Sequence, residues 1–337
     1  MAAPTAPVTA QSAVPGPSVG GAGARAPAGP TVSVVVPSYR RPDDLARCLT
    51  GLAAQDLPPC EVVVVHRVDD AGTRSVAGRF RGFVRCVGVA EPGQLAALRA
   101  GAAAAVGEVI AFTDDDAVPR PDWCRRLGEA FVPPGVGAVG GRDVVHHGSE
   151  IEDGSERRVG LVTGLGRVVG RHHLGTGPAR DVQHLKGVNM AVRRGCLAFA
   201  DGLRGQGAQV ANDLAISLAV LGSGRRVVYD PAIVVDHHPA PRFDEDGRRS
   251  RSLRARSDAA FNQSYVVFSL QPRLRWRRLA YVVLWGDRDN GGVVRSLAAR
   301  LRGETVLRGT FSPLLRAHFD AWGEARSRPL RLVPVQR

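Results

Sequence analysis

The chain has 337 residues, is 44% hydrophobic and 23% charged, and carries a formal net charge of +13. This is the composition of a globular protein that is long enough for one large domain or two. It excludes a membrane-spanning helix, because apolar runs such as LAYVVLWG, from Leu279, are far shorter than the roughly 20 residues that a span requires.

The first thirty residues differ from the rest of the chain. They are mainly Ala, Pro and Gly, with Arg25 as their one charge and no aromatic residue. Such a segment buries too little apolar surface to offset the entropy of ordering, so we predict a disordered tail over residues 1–30. It also lacks the basic start and apolar run of a secretory signal peptide. The five cysteines are odd in number and form no CxxC pair, and without a signal peptide we predict reduced thiols in a cytoplasmic protein.

Buried strands and helices alternate along the next eighty residues. The β-branched run TVSVVVP, from Thr31, predicts a strand buried on both faces. An apolar stripe from Leu45 to Leu52 predicts a helix that ends near Gln55. The alternation predicts an α/β fold with a mostly parallel central sheet and helices on both faces. Three further strands are predicted in EVVVVH from Glu61, in FVRCVGV from Phe83 and, after an Ala-rich helix, in EVIAFT from Glu108.

Three consecutive aspartates, Asp114 to Asp116, directly follow the strand EVIAFT. Open parallel sheets bind ligands at the carboxyl ends of their strands, where the loops PSYRR, HRVDD and TDDDA all fall. Three adjacent carboxylates repel one another unless they are solvated or paired with a cation. Mg²⁺ or Mn²⁺ takes carboxylate oxygens together with substrate phosphates. The triplet therefore predicts a divalent metal that holds a phosphate-bearing ligand.

Other phosphate-binding signatures are missing from the sequence. The first strand-to-helix turn, PSYRRPDD, has no glycine, whereas a dinucleotide fold needs glycines there so that the backbone can approach a pyrophosphate. A GxGxxG from Gly135 to Gly140 overlaps the predicted strand VGAVGG, and we interpret it as a chance match. No GxxxxGK[ST] phosphate loop occurs.

Five motifs, in order along the chain, resemble family 2 glycosyltransferases with the GT-A (Rossmann-like) fold. They are VSVVVPSYRRPDDLARCL, EVVVV, LRAGAAAAVGEVIAFTDDDAVPRPDW, HLKGVNMAVRRG and VANDLAISLAVLGSGRRVVYDPAIVVDHHP. The resemblance implies a GT-A domain over residues 31–240, with a nucleotide-sugar half at about 31–120 and an acceptor half at about 121–240. A basic, mainly helical segment over 241–337 would follow.

The resemblance also implies where the nucleotide sugar and its metal are bound. Asp114, Asp115 and Asp116 match the DxD element of the family. Asp114 would face both the ribose and the metal, Asp115 would lie in the nucleotide site, and Asp116 would ligate the metal that bridges the diphosphate. His237 or His238 falls where members often carry a histidine near the active-site mouth, and His237 is assigned as the third metal ligand. The base and ribose pocket would be lined by Pro37, Ser38, Tyr39 and Arg41.

Asp213 matches the aspartate of the family's Glu-Asp pair and would be the general base. An acceptor hydroxyl is a poor nucleophile, so a carboxylate must take its proton as the new bond forms. One base opposite one leaving group implies inversion at the sugar carbon. Asp213 is also predicted to stand at the start of a helix that opens at Asn212 or Asp213. A loop lining the donor sugar and acceptor would consist of Lys186, which can contact a phosphate, Gly187, Asn189 and Met190.

The chain departs from the family pattern at two positions. His66 stands where members usually have an aspartate after the second strand. The contact to the nucleotide base is therefore assigned to Asp69, Asp70 or Arg67, without a choice among them. Asn212 replaces the glutamate of the Glu-Asp pair. This loss of a charge should lower the pKa of the general base, Asp213, relative to its pKa in a carboxylate pair.

The segment from Pro241 onward contains 20 arginines and nine acidic residues, a net charge of +11. Its helical stretches mix arginine with apolar residues, which favours interfacial helices on an anionic membrane. Helices that only pack on the catalytic domain are the alternative. Aromatic residues are scarce and no recognition motif is present, so nucleic acid is not a predicted partner.

Together these features predict a cytoplasmic glycosyltransferase at the periphery of the inner face of the cell membrane. It would use a nucleotide diphosphate sugar, Mg²⁺ or Mn²⁺, and a lipid-linked or growing glycan as acceptor. Two alternatives stay open: a metal-dependent nucleotidyltransferase, which would also use clustered carboxylates, and a non-catalytic scaffold that binds sugar nucleotides.

Overall fold

The computed structural model describes residues 29–205, 207–241, 252–286, 292–301 and 311–335. Nearly all of the predicted tail over residues 1–30 lies outside this part of the chain, so its disorder stays a prediction. The division into a GT-A domain and a C-terminal segment also stays a prediction.

The elements follow one another in chain order. The first part contains β1 (Val32–Ser38), α1 (Pro42–Ala53), β2 (Glu61–Arg67), α2 (Ala71–Gly78), β3 (Val84–Val89), α3 (Gln94–Ala104), β4 (Val109–Thr113), β5 (Ala117–Pro119) and α4 (Trp123–Ala130). The middle part contains β6 (Val136–His147), β7 (Glu150–Ile151), β8 (Leu161–Val162), β9 (Val168–Val169), β10 (Arg180–Asp181), β11 (Asn189–Arg193), β12 (Ala198–Ala200), α5 (Asn212–Gly222) and β13 (Arg226–His237). The last part contains α6 (Leu253–Leu270), α7 (Arg275–Leu284), α8 (Gly292–Leu301), α9 (Phe311–Ser327) and β14 (Leu332–Pro334).

Within the described residues, ten strands form one central sheet. Its main path runs β10-β13-β6-β11-β4-β1-β2-β3, with β5 paired to β13 and β7 paired to β6. The four strands β1 to β4 are mutually parallel, and β6 is parallel to β13. Strand β11 is antiparallel to both of its neighbours and joins the two parallel groups. This arrangement confirms the predicted mixed α/β fold.

Helices cover both faces of the parallel strands, which explains why those strands are apolar throughout. Val34 and Val36 of β1 pack with the buried stripe of α1. Val35, between them, faces the other way and packs with Leu95 and Leu98 of α3. Strand β3 is partly exposed because it lies at the edge of the sheet. The GxGxxG match falls at the start of β6, so its interpretation as part of a strand is confirmed.

Helices α6 and α7 pack against α5 and the loop between β8 and β9. Phe261 and Tyr265 of α6 share a buried cluster with Leu214 and Leu218 of α5. The fully buried Arg278 of α7 donates hydrogen bonds to the Ser264 hydroxyl and to a loop carbonyl between β8 and β9. Strand β14 pairs with β12, so the chain end is also tied to the domain.

Gly101 allows α3 to lie close to the sheet. A Cβ atom added there would come within 2.4 Å of a Val35 methyl and 2.9 Å of a Val65 methyl, both in the valine-rich core. Helix α3 is rich in alanine for the same reason, since small residues allow a short distance between helix and strands. Gly128, in α4, would meet nothing within 4 Å.

We therefore expect Gly101→Ala to lower the free energy of unfolding by about 1–3 kcal/mol, because its methyl group overpacks the core. Gly128→Ala is the matched control and should be neutral or stabilising by up to about 1 kcal/mol, because alanine favours a helix more than glycine does. Urea denaturation of the two variants measures both effects. Equal stabilities would show that α3 does not pack this closely.

Candidate active site

A cleft opens at the carboxyl ends of β1, β2 and β4, where the sequence predicts the ligand. The base of the cleft is formed by these strands, and one wall by the loop that leads into α3. Seven of the predicted nucleotide-site residues line it: Pro37, Ser38, Tyr39, Arg41, Arg67, Asp114 and Asp115. Their predicted contacts with a nucleotide are consistent with this position and stay predictions.

Arg41, from the loop after β1, neutralises part of the aspartate triplet. Its guanidinium lies 3.1 Å from an Asp115 carboxylate oxygen and 3.2 Å from an Asp116 oxygen. Burial raises the pKa of Asp115 to about 7, against the attraction of Arg41, while the neighbouring Asp116 and Asp114 raise it further. Asp115 and Asp116 are therefore buried and Asp114 is partly exposed, so the triplet is not a solvated turn.

Asp114, Asp116 and His237 form a group that suits a divalent metal. One ligand atom from each lies within 4.8 Å of the others, and His237 Nε2 is 3.4 Å from Asp116 Oδ1. The second Asp116 oxygen accepts hydrogen bonds from the Ala240 backbone N–H at 2.9 Å and from Arg41. Two carboxylates and an imidazole fit Mn²⁺ or Mg²⁺, although the nitrogen favours the former. The three predicted metal ligands are thus brought together.

Asp143 lies beside His237, on the side of the ring away from Asp116. It was not predicted as a site residue from the sequence. It is fully buried on β6, contacts the ammonium group of Lys186, and lies 3.6 Å from His237 Nδ1. Burial alone would raise the pKa of Asp143, but His237 and Lys186 lower it to about 2. A carboxylate on the far side of a metal-binding histidine orients the ring and raises its basicity as a ligand. The signal for Asp143 in the sequence was its charge within the buried strand VGAVGGRDVVHH.

Asp213 lies in the first turn of α5, as predicted. Its Oδ1 accepts a hydrogen bond from the Leu214 N–H at 2.8 Å, and its Oδ2 lies 3.6 Å from His184 Nε2 and 3.4 Å from the Gly187 N–H. Burial opposes its ionisation, but these donors hold the pKa of Asp213 below its usual value. Ala211 precedes it with a φ of +76°, a left-handed conformation that is strained for alanine and is typical of functional sites.

The predicted sugar loop divides into two parts. Lys186 and Gly187 contact Asp143 and Asp213, respectively. Asn189 and Met190 have buried side chains on β11. The Asn189 amide accepts a hydrogen bond from the Trp123 indole and donates to backbone carbonyls of β6 and β13. Its side chain therefore holds these elements together, and its predicted contact with a sugar stays a prediction.

The three candidates for the contact to the nucleotide base have different environments. Asp70 is buried and caps α2, where it accepts hydrogen bonds from the Thr73 N–H and hydroxyl and from the Arg40 N–H. Although burial acts in the opposite direction, these donors lower the pKa of Asp70. Asp69 is exposed and lies 3.5 Å from Arg67. Of the three, only Arg67 is among the residues that line the cleft.

The sequence and the fold both have known relatives. Residues 33–195 match the model of Glycosyl transferase family 2. Glycosyltransferase AglE of Haloferax volcanii is 30% identical over 118 residues, which cover 33% of this chain and 39% of AglE. An uncharacterized glycosyltransferase of Nostoc sp., alr2836, is 32% identical over 132 residues, which cover 38% of this chain and 39% of that protein. The chain thus spans about two fifths of the length of these curated relatives.

Two solved structures share the fold. The mannosyltransferase PcManGT of Pyrobaculum calidifontis, in complex with GDP-Man and Mn²⁺, aligns over 89% of this chain and 87% of its own with a TM-score of 0.51 and 18% identity. GalNAc-T7, with UDP, GalNAc and Mn²⁺, aligns over 89% of this chain and 57% of its own with a TM-score of 0.58 and 14% identity. Residues 33–195 are therefore similar to glycosyltransferase family 2, and the chain has the GT-A fold.

Proposed function

We propose that the protein is a metal-dependent, inverting glycosyltransferase that moves a sugar from a nucleoside diphosphate sugar to an acceptor hydroxyl. The observation that carries this proposal is that one loop contacts both the surroundings of the candidate metal ligands, Asp114, Asp116 and His237, and a separate carboxylate, Asp213. Lys186 contacts Asp143 behind the metal group, and the next residue, Gly187, faces Asp213. The candidate metal ligands and Asp213 therefore lie on two sides of the loop that contains Lys186 and Gly187.

In this proposal the leaving group is stabilised by positive charge at the end of the cleft. Asp114, Asp116 and His237 would hold a divalent cation, which neutralises the charge that develops on the departing nucleoside diphosphate. Arg41, beside the same aspartates, adds a fixed positive charge at the diphosphate. Lys186, which is partly exposed beside Asp143, is a second cation within reach of a phosphate.

Asp213 is the carboxylate that would take the proton of the acceptor hydroxyl. It is held ionised by His184 and by two backbone N–H groups. Asp143 is buried and is occupied by Lys186 and His237, and it is therefore not available as a base or nucleophile. A single available carboxylate supports direct displacement by the acceptor, with inversion at the sugar carbon.

The structural relatives named with GDP-Man and with UDP support a nucleoside diphosphate sugar as donor. We propose a lipid-linked or growing glycan as acceptor, which would give the protein a role in glycan, glycolipid or polysaccharide synthesis. A nucleotidyltransferase is the second candidate that clustered carboxylates would suit. Release of nucleoside diphosphate supports the first, release of pyrophosphate supports the second, and donor binding without turnover supports a scaffold.

We further propose that the protein associates peripherally with the anionic inner face of the cell membrane. No helix within the described residues is both long enough and apolar enough to cross a membrane. Helices α7 and α8 nevertheless leave large apolar side chains exposed, among them Trp276 at 71%, Trp285 at 50% and Leu301 at 83%. Exposed arginines, Arg273 and Arg277, lie on or beside α7. Exposed tryptophans beside arginines suit the interface of an anionic bilayer.

Asp116→Asn should abolish Mn²⁺-dependent binding of nucleoside diphosphate while the fold survives, because one metal ligand loses its charge and repulsion within the triplet falls. Calorimetry with and without Mn²⁺ measures the binding, and thermal unfolding measures the fold. The matched control is Asp181→Asn, an exposed aspartate on β10 that pairs with Arg226. Unchanged metal-dependent affinity in Asp116→Asn would contradict the ligand assignment.

Asp213→Asn should retain the melting temperature and donor affinity of the parent but lose transfer by roughly 10²–10⁴-fold. Asparagine still accepts the Leu214 hydrogen bond through its side-chain oxygen, so a purely structural role for Asp213 would leave transfer nearly intact. The comparison of transfer rate with donor affinity separates the two roles. Transfer within a few-fold of the parent rate would show that Asp213 is not the base.

The full-length protein should sediment with phosphatidylserine-containing vesicles at low salt and dissociate as salt is raised. Replacing Trp285 and Leu301 together by alanine should weaken the partition at least about tenfold, since each side chain loses apolar burial in the interface. The control is Leu165→Ala, at a side chain that is 52% exposed, similar to the value for Trp285, but that lies outside the C-terminal helices. Equal sedimentation of both variants, or no binding by the parent, would refute membrane attachment through α7 and α8.

A further inference from the structure

His66 occupies a central position in the cleft. It lies near the end of β2, where it pairs with Ser38 of β1 and Gly88 of β3. Its side chain is only 6% exposed, yet it lines the cleft together with Pro37 and Tyr39. A ligand bound at the ends of these strands would therefore contact the imidazole ring directly.

The hydrogen bonding of His66 fixes which of its ring nitrogens carries the proton. Its Nδ1 lies 2.8 Å from the carbonyl oxygen of Arg67. A carbonyl oxygen can only accept, so Nδ1 is the donor and bears the hydrogen. In the neutral ring Nε2 then carries a lone pair and acts as an acceptor. No hydrogen bond to Nε2 is formed by the residues that the structure describes.

The other candidate acceptors near this position are already used. Asp70 accepts three hydrogen bonds at the start of α2 and from the Arg40 N–H. Asp69 is turned to solvent beside Arg67. Arg67, which does line the cleft, is a donor only, and its guanidinium lies 5.6 Å from the centre of the Tyr39 ring. His66 Nε2 is thus an acceptor at the base of the cleft that a flat ring lying beside Tyr39 can use.

We propose that His66 Nε2 reads the nucleotide base by accepting a hydrogen bond from a ring N–H. This inference rests on the proposed function, since it assumes that the cleft binds a nucleoside diphosphate sugar. Uracil and thymine carry a hydrogen on N3, and guanine carries one on N1. Cytosine and adenine carry a lone pair on the corresponding nitrogen. The cleft therefore selects donors that contain uracil, thymine or guanine.

The selection has a direct physical cause. A base with a ring N–H forms a hydrogen bond with Nε2, whereas cytosine or adenine would bring two lone pairs together in a nearly buried site. Sites built around one buried hydrogen bond discriminate strongly against a ligand that cannot form it. We expect a preference of at least about tenfold.

The test compares bases of equal size. Calorimetry with Mn²⁺ measures the affinities of UDP against CDP and of GDP against ADP, for the full-length protein. The parent should favour UDP over CDP, or GDP over ADP, by at least about tenfold. His66→Asp keeps an acceptor and should keep the preference, whereas His66→Leu has none and should reduce the ratio to within about threefold. Because each ratio is internal to one variant, a general loss of affinity does not disturb it. His147→Leu, at an exposed site on β6, is the control.

The outcomes separate the two proposals. Equal affinities within each pair for the parent, or a preference that persists in His66→Leu, would overturn base reading by His66 and leave the proposed function standing. If none of the four nucleotides binds in the presence of Mn²⁺, the proposed function fails and the inference fails with it.

Discussion

Repulsion among Asp114, Asp115 and Asp116 is the constraint around which this protein is arranged. Three carboxylates at the end of a buried strand are unstable without compensation, and the compensation comes from distant parts of the chain. Arg41 contacts two of them, the Ala240 N–H binds one, and Asp115 is left with a pKa of about 7 because burial outweighs these partners. Buried charge networks of this kind contribute little to net stability. In the proposed function, two of these carboxylates, Asp114 and Asp116, would hold a divalent cation.

The topology of the sheet brings these partners together. Strand β1 lies beside β4, so the loop that carries Arg41 leaves the sheet next to the triplet. The antiparallel pairing of β13 with β5 sets His237 opposite Ala117, one residue beyond Asp116. The parallel pairing of β13 with β6 then brings Asp143 behind His237. A charge cluster that spans 41 to 240 in sequence is therefore a local structure in space.

The sequence was sufficient for the features that depend on local pattern. The four parallel strands, the position of the aspartate triplet at a strand end and the helix that begins beside Asp213 each follow from hydrophobic runs or from residues adjacent in the chain. It was insufficient where partners are remote. Asp143 is 43 residues from Lys186 and 94 from His237, so its charge within a buried strand is a signal that does not reveal its partners. The hydrogen bonds of the Asn189 amide to Trp123 and to the Ile233 carbonyl were also not predictable from its motif, and its assignment to the sugar stays a prediction.

The most direct test of this account is an anomalous difference map from crystals grown with MnCl₂ and UDP or GDP, recorded at the manganese absorption edge. The account predicts one strong peak in contact with Asp114, Asp116 and His237, with the nucleotide diphosphate beside it and the base against His66. A manganese ion bound elsewhere, or a nucleotide in the cleft with no ion at this group, would contradict it.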